Sequence, residues 1–181
     1  LNFNGCVAEC AITTGVSGVS SHESATGGIV GKLDKGEIKN CSFGGTLTSN
    51  CGNIGGIVGV MTGSSCLTGT NTTRNKFSGT LTVNTPSDRI QDGVGGIVGH
   101  YSSSKNIQYC EVSASGGTES SVKKNLVINN TKTQEDREVN YVGGIVGYFE
   151  AATDVTVQYC YANSSDKKQK RFVLCRTDYG Y

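Results

Sequence analysis

Cysteine is the residue type of this chain whose number and spacing most strongly suggest covalent or metal-binding chemistry. The 181-residue chain has eight cysteines, an even number spread along its length. This pattern is typical of oxidising compartments, where disulfides form and persist. No two cysteines form a Cys-x-x-Cys pair and none clusters with histidine, so the sequence predicts no metal site and no cofactor. The disulfide candidates are Cys6, Cys10, Cys41, Cys51, Cys66, Cys110, Cys160 and Cys175.

Histidine and carboxylate residues do not form a catalytic pattern. The two histidines, His22 and His100, stand in no metalloprotease motif and beside no nucleophile motif. We interpret His100 as an exposed turn residue. The acids Asp34, Glu37, Asp88, Asp92, Glu111 and Asp154 do not recur at one aligned position, as a clustered glycosidase-type site would require. The sequence therefore predicts no enzyme and no catalytic residue.

A repeated segment, Gly-Gly-Ile-Val-Gly, must position these residues. It occurs four times without variation, beginning at Gly27, Gly55, Gly95 and Gly143. Such self-similarity predicts a stack of repeated units. No helical pattern follows any copy, so we interpret each copy as a short strand between glycine corners rather than as a phosphate-binding loop. The glycines that we expect to be structural are Gly28, Gly31, Gly56, Gly59, Gly96, Gly99, Gly144 and Gly147.

Two further signatures recur in the repeats. The first places a cysteine after Ile/Val-x-Asn/Tyr, as at Cys41, Cys110 and Cys160, and the frame around Cys6 is similar. In the second repeat the place of this cysteine falls on Asn75. The second signature begins with leucine at Leu47, Leu81 and Leu126, and Ile12 occupies the same place near the N-terminus. Apolar and polar residues alternate in both signatures, which predicts short strands with one buried face.

Three short strands per repeat predict an all-β fold, a right-handed parallel β-helix (β-solenoid) of four to five coils with side loops. The prediction is a single domain over residues 1–181, made of a partial coil 1–27 and coils 28–55, 56–95, 96–143 and 144–181. The extra length falls in predicted loops at 62–73, 85–93, 113–124 and 130–140. In this arrangement the motif glycines allow positive φ and close backbone approach at the corners.

Stacked coils bring like residues into columns. The predicted inward columns are Ile29, Ile57, Ile97 and Ile145, and Leu47, Leu81 and Leu126 with Ile12 at one end. The neighbouring Val30, Val58, Val98 and Val146 are expected on the opposite face, either covered by a loop or exposed as a stripe. Threonines also align, Thr46 with Thr80 and Thr48 with Thr82, in an array that could bind ice or a glycan lattice.

The cysteines allow two interpretations. Equivalent positions in adjacent coils lie near the Cα separation of a disulfide, whereas the alternative is a buried column of free thiols. The candidate pairs are Cys6–Cys41 and Cys110–Cys160 within the stack, Cys51–Cys66 between loops, and Cys10–Cys175 between two molecules stacked end to end.

Charge and hydropathy exclude several partners. The formal net charge is +1, which gives no reason to expect nucleic acid. The apolar runs are far shorter than the ~20 residues of a membrane span. The candidate N-glycosylation sites are Asn40, Asn71, Asn129 and Asn163. The basic run 167–171 could grip an anionic glycan, although a solvated loop is the commoner role. Because the chain begins at Leu1 without an initiator methionine, we expect a processed form or a fragment.

The glycine motif, its polar spacer and the cysteine signature together resemble the GLUG motif. Isoleucine stands at Ile29, Ile57, Ile97 and Ile145 where leucine is usual in that family. GLUG repeats are found in large secreted and surface proteins, including bacterial immunoglobulin A peptidases, filamentous haemagglutinin-like adhesins and protist surface proteins. The resemblance implies a β-helical, surface-exposed region and transfers no catalytic residue.

These observations predict an extracellular structural or adhesive scaffold, secreted or on the cell surface. A solenoid end presents unpaired strands, so we expect stacking against another copy, which would build a surface filament, or against the rest of a longer chain. The alternative is a β-helix protein that binds glycans or processes polysaccharides.

Overall fold

The computed structural model describes residues 1–15, 24–49, 52–85, 93–113, 126–130, 141–150 and 155–162, with the backbone alone for 84–85 and 126–130. The strands within these ranges are β1 (Asn2–Asn4), β2 (Val7–Ala8), β3 (Ala11–Thr14), β4 (Ala25–Gly27), β5 (Val30–Lys39), β6 (Ser42–Phe43), β7 (Thr46–Ser49), β8 (Asn53–Gly55), β9 (Val58–Thr68), β10 (Asn75–Phe77), β11 (Thr80–Thr85), β12 (Gly93–Gly95), β13 (Val98–Ser103), β14 (Ile107–Gln108), β15 (Cys110–Val112), β16 (Leu126–Asn130), β17 (Tyr141–Gly143), β18 (Val146–Phe149), β19 (Val157–Gln158) and β20 (Tyr161–Ala162).

These strands form four parallel sheets, numbered in the order in which the chain visits them. Sheet 1 holds β1, β5, β9, β13, β14, β18 and β19; sheet 2 holds β2, β6, β10, β15 and β20; sheet 3 holds β3, β7, β11 and β16; sheet 4 holds β4, β8, β12 and β17. The chain passes through sheets 1 to 4 in turn and returns to sheet 1 beside its previous strand. This is a parallel β-helix, so the predicted fold class is confirmed. The short strand before each glycine motif adds a fourth segment to the three predicted.

Like residues lie beside each other in the sheets. In sheet 3, Leu47 pairs with Leu81 and Leu81 with Leu126, while Ile12 pairs with Leu47 at the other end. The predicted leucine column is therefore confirmed in backbone register. The same register aligns the predicted threonine array, Thr46 beside Thr80 and Thr48 beside Thr82.

Isoleucine and valine of the glycine motif both enter the core. Ile57, Ile97 and Ile145 are buried, and Ile29 is half-buried. The prediction that the adjacent valines face the opposite side was wrong, since these valines pack in the same cluster: Val58, Val98 and Val146 are buried and Val30 is partly buried. Strand alternation does not apply to this pair because the isoleucine lies in a bend and the valine begins the next strand.

The glycine motif is a corner and not a strand between corners, which corrects the prediction. Strand β4 ends at Gly27, Gly28 and Ile29 form the bend, and β5 begins at Val30. Backbone hydrogen bonds join successive corners, since the N–H groups of both Ile29 and Val30 donate to the carbonyl of Ile57, at 3.1 Å each. Each corner is therefore held by the corner of the next coil.

Close packing explains the glycines at these corners. A Cβ on Gly56 would lie 2.2 Å from Gly96 O and 2.3 Å from Phe77 Cγ, and a Cβ on Gly59 would lie 2.5 Å from Thr26 N. Real Cβ atoms do not approach so closely, so glycine alone fits without a shift of the backbone. Close approach is thus confirmed, whereas positive φ is wrong here, because among the described residues the positive-φ glycines lie outside the motif: Gly5, Gly15, Gly36, Gly52 and Gly63.

Left-handed backbone instead marks a second corner, between sheets 1 and 2. Asn40, Tyr109 and Tyr159 have φ of 55°, 53° and 55°, and Gly5 occupies the equivalent place with φ of 67°. We call these four residues the left-handed corner. Asparagine tolerates this conformation, but it is uncommon for tyrosine. Its recurrence in four coils, on glycine, asparagine and tyrosine alike, indicates that the stack imposes the conformation on whichever residue stands there.

The predicted loop at 62–73 is largely strand. Strand β9 continues to Thr68, and Leu67 pairs with Ile38 on one side and Ile107 on the other. A register shift between Leu33 and Lys35 accommodates the longer strand. The extra residues of this coil lie in the turn 69–74. In the other coils the corner between sheets 1 and 2 consists of a single left-handed residue. The other predicted loops fall wholly or largely outside the described residues.

Candidate functional site

A column of cysteines follows the left-handed corner. We define the cysteine column as Cys6, Cys41, Asn75, Cys110 and Cys160. Asn75 pairs directly with Cys110, and the strands of sheet 2 that follow the other members are in matching register. The predicted alignment, with Asn75 in a cysteine's place, is therefore confirmed. Cys41 and Cys110 are buried, and Cys6 and Cys160 are partly exposed.

Three thiols of the column, those of Cys41, Cys110 and Cys160, share one orientation. Each donates a hydrogen bond to the carbonyl two residues earlier: Cys41 Sγ to Lys39 O at 3.2 Å, Cys110 Sγ to Gln108 O at 3.5 Å, and Cys160 Sγ to Gln158 O at 3.1 Å. The left-handed residue between thiol and carbonyl fixes this geometry. The sulfur atoms of successive coils therefore point the same way.

Asn75 makes the column discontinuous and ties three backbone groups together. Its Oδ1 accepts a hydrogen bond from the Cys41 N–H at 2.9 Å. Its Nδ2 donates to Thr68 O at 2.7 Å and to Ile38 O at 3.2 Å. The side chain is fully buried, so these contacts meet the hydrogen-bonding needs of a polar group that water cannot reach.

The thiols of the column differ in acidity. Burial raises the pKa of Cys41, and burial together with the neighbouring Cys160 raises the pKa of Cys110 well above its ordinary value. The pKa of Cys160 is lowered, first by a hydrogen bond from the Cys110 thiol and further by the charge of Arg74. Cys160 is thus the member of its pair that ionises more readily.

The structure gives six cysteines as free thiols, which leaves the disulfide pairings as predictions. Cys10 is exposed, and Cys66 lies within β9, where burial raises its pKa, rather than in a loop. Cys51 and Cys175 lie outside the described residues, so the pairings Cys51–Cys66 and Cys10–Cys175 cannot be placed.

An arginine covers the tyrosines beside the column. The Arg74 guanidinium lies 5.7 Å from the Tyr109 ring centroid and 4.9 Å from that of Tyr161, and it donates a hydrogen bond to Tyr159 O. The Tyr109 and Tyr159 rings stack at 4.8 Å. Tyr159 remains 61% exposed and Tyr161 38% exposed. The result is an aromatic surface with a cation at its centre, adjacent to Cys160.

His100 is placed differently from the prediction. It lies in strand β13 rather than in a turn, and its side chain is 22% exposed. Its Nε2 lies 3.2 Å from Glu150 Oε2, and its ring packs at 4.8 Å on Tyr148. This pair is a surface contact between an imidazole and a carboxylate. His22 lies outside the described residues.

Of the acids considered in the sequence analysis, the three that the structure describes have structural partners. Asp34 accepts from Thr62 Oγ1 at 2.9 Å, Glu37 accepts from a threonine hydroxyl, and Glu111 lies 3.5 Å from Lys76 Nζ. In the part of the chain that the structure describes, no three histidine, cysteine or acidic residues are grouped to hold a metal ion. Asp88, Asp92 and Asp154 fall outside that part.

The glycosylation candidates differ in accessibility. Asn71 is exposed in the turn 69–74, where Thr70 Oγ1 accepts from the backbone N–H of Thr73 at 3.0 Å. Asn40 is half-buried at the left-handed corner, with its Oδ1 buried and without a described hydrogen-bond partner. Asn129 lies in β16, where only the backbone is described, and Asn163 and the basic run 167–171 lie outside the described residues. Glycosylation stays a prediction.

One buried tyrosine carries an unusual hydroxyl. Tyr101 is fully buried and stacks on Phe149 at 4.9 Å. No described group meets its hydroxyl with good hydrogen-bond geometry, although Ser103 and the Lys105 backbone are near. Ser103 Oγ instead donates to Ser65 O at 2.6 Å. Burial raises the pKa of Tyr101 to about 12.

These columns and corners define a class, the parallel β-helix repeat protein. Residues 22–48 match the family model described as the GLUG motif, which confirms the resemblance drawn from the sequence. Over the described residues no helix has the length and apolar character needed to cross a membrane. A comparison with solved structures found no significant match.

Among curated proteins the chain is similar to immunoglobulin A1 proteases. It is 35% identical over 89 residues to the one from Streptococcus sanguinis, a match that covers 46% of this chain and 4% of that protein. It is 34% identical over 98 residues to one from Streptococcus pneumoniae, which covers 51% of this chain and 5% of the relative. The match therefore spans only a small part of the relatives' length.

Proposed function

We propose that this chain is a non-enzymatic structural module of an extracellular protein, where it acts as a rigid β-helical spacer. The register of like residues through successive coils supports this proposal most directly. Backbone hydrogen bonds run from the corner at Ile29 to Ile57, from Ile57 to Ile97 and from Ile97 to Ile145. A stack joined in this way extends by roughly 4.8 Å per coil and resists bending, because each coil packs on its neighbours along its whole length.

The relatives support the extracellular location. Immunoglobulin A1 is a secreted antibody, so a protease named for it works outside the cell. This chain resembles a small segment of those proteases and matches the GLUG motif, a resemblance that implies a surface-exposed region. We extend the location to this chain and assign it the part of a spacer that carries other domains.

The described side chains support a role without catalysis. Glu111 is paired with Lys76, Asp34 with Thr62, and His100 with Glu150. Each of these acids is engaged by a basic or hydroxyl partner, and such a pair alone does not supply the nucleophile, base and oxyanion-stabilising group that a catalytic site requires. An assay of polysaccharide hydrolysis with the full chain should detect no product, and any turnover lost on His100→Ala would refute this part.

Immunogold labelling of intact cells tests the location. An antibody against the turn 69–74 should label the cells of the source organism without permeabilisation, because Asn71 and its neighbours are exposed in the folded chain. An antibody against the buried segment around Leu47 and Phe43 serves as the matched control and should label only denatured protein. Labelling that requires permeabilised cells would refute the extracellular spacer.

Self-association is a separate part of the proposal. End-to-end stacking would continue the parallel sheets from one molecule to the next and produce a filament. Electron micrographs and sedimentation velocity of the full chain should show linear assemblies with a regular axial repeat. A monomer across the accessible concentration range would refute the filament and leave the spacer intact.

Glycan binding is a second candidate, favoured by the exposed tyrosines beside Arg74. Aromatic faces with adjacent polar groups are suited to stacking on sugar rings. The candidate predicts retention on a glycan array that Tyr159→Ala abolishes and that Tyr141→Ala, a change at a tyrosine in sheet 4, leaves unchanged. Equal retention of both variants, or no retention of the native chain, would exclude this function.

A further inference from the structure

The last two cysteines of the column, Cys110 and Cys160, stand beside each other in adjacent coils. Each follows a left-handed tyrosine, and the register of the flanking strands, Gln108 with Gln158 and Glu111 with Tyr161, brings their side chains within hydrogen-bond distance. Cys6 and Cys41 are in contact in the same way. Cys160 Sγ also lies 4.0 Å from Ile107 O, a carbonyl of the coil that carries Cys110. Adjacent parallel strands are about 4.8 Å apart, within the range of ~4.4–6.8 Å between Cα atoms that a disulfide tolerates.

Asn75 separates this pair from the rest of the column. Cys41 and Cys110 lie on opposite sides of Asn75, whose Oδ1 contacts the Cys41 N–H and whose backbone pairs with Cys110. Two coil spacings amount to ~9.6 Å, beyond the ~7 Å limit for a disulfide without backbone movement. The column can therefore close only within adjacent pairs, Cys6 with Cys41 and Cys110 with Cys160.

The two thiols of the pair have different environments. Cys110 is completely buried, whereas Cys160 is partly exposed. The Arg74 guanidinium is held nearby by the Tyr109 and Tyr161 rings, where its positive charge favours a thiolate. A partly exposed thiol that ionises more readily than its buried partner thiol is the arrangement of an attacking cysteine and its resolving cysteine.

We propose that Cys110 and Cys160 form a thiol–disulfide exchange site that staples two adjacent coils. The oxidant is a low-molecular-weight disulfide, RSSR. The Cys160 thiolate attacks one sulfur of RSSR, forms a mixed disulfide and releases RS⁻, which takes up the Cys160 proton. Cys110 then loses its proton and attacks Cys160 Sγ, so that the intramolecular bond forms and the second RSH leaves. In sum, two protein thiols are oxidised and RSSR is reduced to two RSH. The site rests on the register of the coils and not on the proposed spacer function.

Oxidised glutathione tests this proposal on the full chain, prepared reduced. Trypsin places Cys110 on the peptide 106–123 and Cys160 on the peptide 138–167, so their bond is a distinct cross-linked mass. We expect the 106–123/138–167 cross-link and no cross-link between Cys41 and Cys110. A cross-link between Cys41 and Cys110, or a Cys110 and Cys160 that both remain alkylatable after oxidation of the folded chain, would overturn the proposal.

Two variants test the order of attack. Cys110→Ser should retain one glutathione on Cys160, because the resolving thiol is missing. Cys160→Ser should slow the reaction of Cys110 at least about tenfold relative to that of Cys160 in the native chain, because Cys110 is buried. Circular dichroism measures whether each variant is folded. The cross-link in the native chain decides the pairing of Cys110 with Cys160 even if a variant does not fold. Equal reactivity of Cys110 with and without Cys160 would refute the assigned order.

Discussion

Replacing Asn75 by cysteine should destabilise the protein although it makes the repeat more regular. The cysteine would complete the column, and a consensus argument from the chain's own repeats would expect a gain in stability. The structure predicts the opposite, because Asn75 holds Cys41 N–H at 2.9 Å, Thr68 O at 2.7 Å and Ile38 O at 3.2 Å. A thiol cannot replace an acceptor and two donors in those directions.

The magnitude follows from these three contacts. A buried N–H left without a partner costs about 1–3 kcal/mol, and each lost carbonyl contact about 0.5–1.5 kcal/mol. The expected decrease in the free energy of unfolding is therefore about 2–6 kcal/mol, with the lower end favoured if the carbonyls relax onto other donors.

Urea denaturation under reducing conditions measures this decrease. The midpoint should fall while the slope stays unchanged, since the surface exposed on unfolding is nearly the same. The matched control is Asn71→Cys, the same chemical change in the exposed turn, which should alter the free energy by no more than about 0.5 kcal/mol. An Asn75→Cys variant as stable as the native chain would show that the hydrogen bonds of Asn75 contribute nothing, and would refute the reasoning.

Three further predictions use the same unfolding measurement. Gly96→Ala should cost at least about 2 kcal/mol, because its Cβ would lie 2.2 Å from Gly144 O, while Gly44→Ala should be nearly neutral, with its nearest contact at 3.4 Å; equal costs would contradict the corner packing. Gly5→Asn, at φ of 67° with nothing within 4 Å of an added Cβ, should stay within about 0.5 kcal/mol, whereas Gly5→Val should cost more than about 1 kcal/mol; the reverse order would contradict the left-handed corner. A raised folded pKa for Tyr101, from 10.0 to about 12, stabilises the fold below pH 10 and loses that contribution as the pH rises towards 12. Tyr101→Phe should flatten this loss relative to the native chain, and identical pH profiles would contradict it.

The columns could be predicted from the sequence because identical residues recur at fixed offsets. Leu47 and Leu81 follow Cys41 and Asn75 by six residues, and the same spacing from Cys6 predicts that Ile12 stands in the leucine column. The fold class followed, since such repeats bury their apolar face only by stacking. In a parallel stack the register is set by the number of residues between repeats of the same signature, and these numbers can be read from the sequence.

Corners were harder to predict because backbone direction leaves little trace in residue type. The sequence predicts a strand at the glycine motif, since alternation cannot distinguish a bend at Gly28 and Ile29 from two extended residues. The left-handed corner could not be predicted from Tyr109 and Tyr159, because tyrosine seldom adopts positive φ and its presence does not indicate that conformation. A signal existed, because Gly5 and Asn40, two residues that favour this conformation, stand at the same aligned position.

The length of β9 was missed for a related reason. The turn 69–74 moves Asn75 away from Leu67, so the spacing between the apolar residue of sheet 1 and the column differs from that of the neighbouring coils. Leu67 therefore matched no signature, although it occupies the place of Ile38. An alignment of Leu67 with Ile38 that allows the spacing to the cysteine column to vary places the extra residues in the turn 69–74, between sheets 1 and 2.

The central claim is that successive glycine corners lie on one another in register. Through-hydrogen-bond scalar couplings in an isotope-labelled sample test it directly, because they connect an amide nitrogen to the carbonyl carbon that accepts its proton. We predict couplings from Ile29 N to Ile57 C, from Ile57 N to Ile97 C and from Ile97 N to Ile145 C, the bonds that measure 3.1, 3.0 and 3.0 Å between nitrogen and oxygen. Couplings that join each corner to an antiparallel neighbour within its own repeat would contradict the parallel stack.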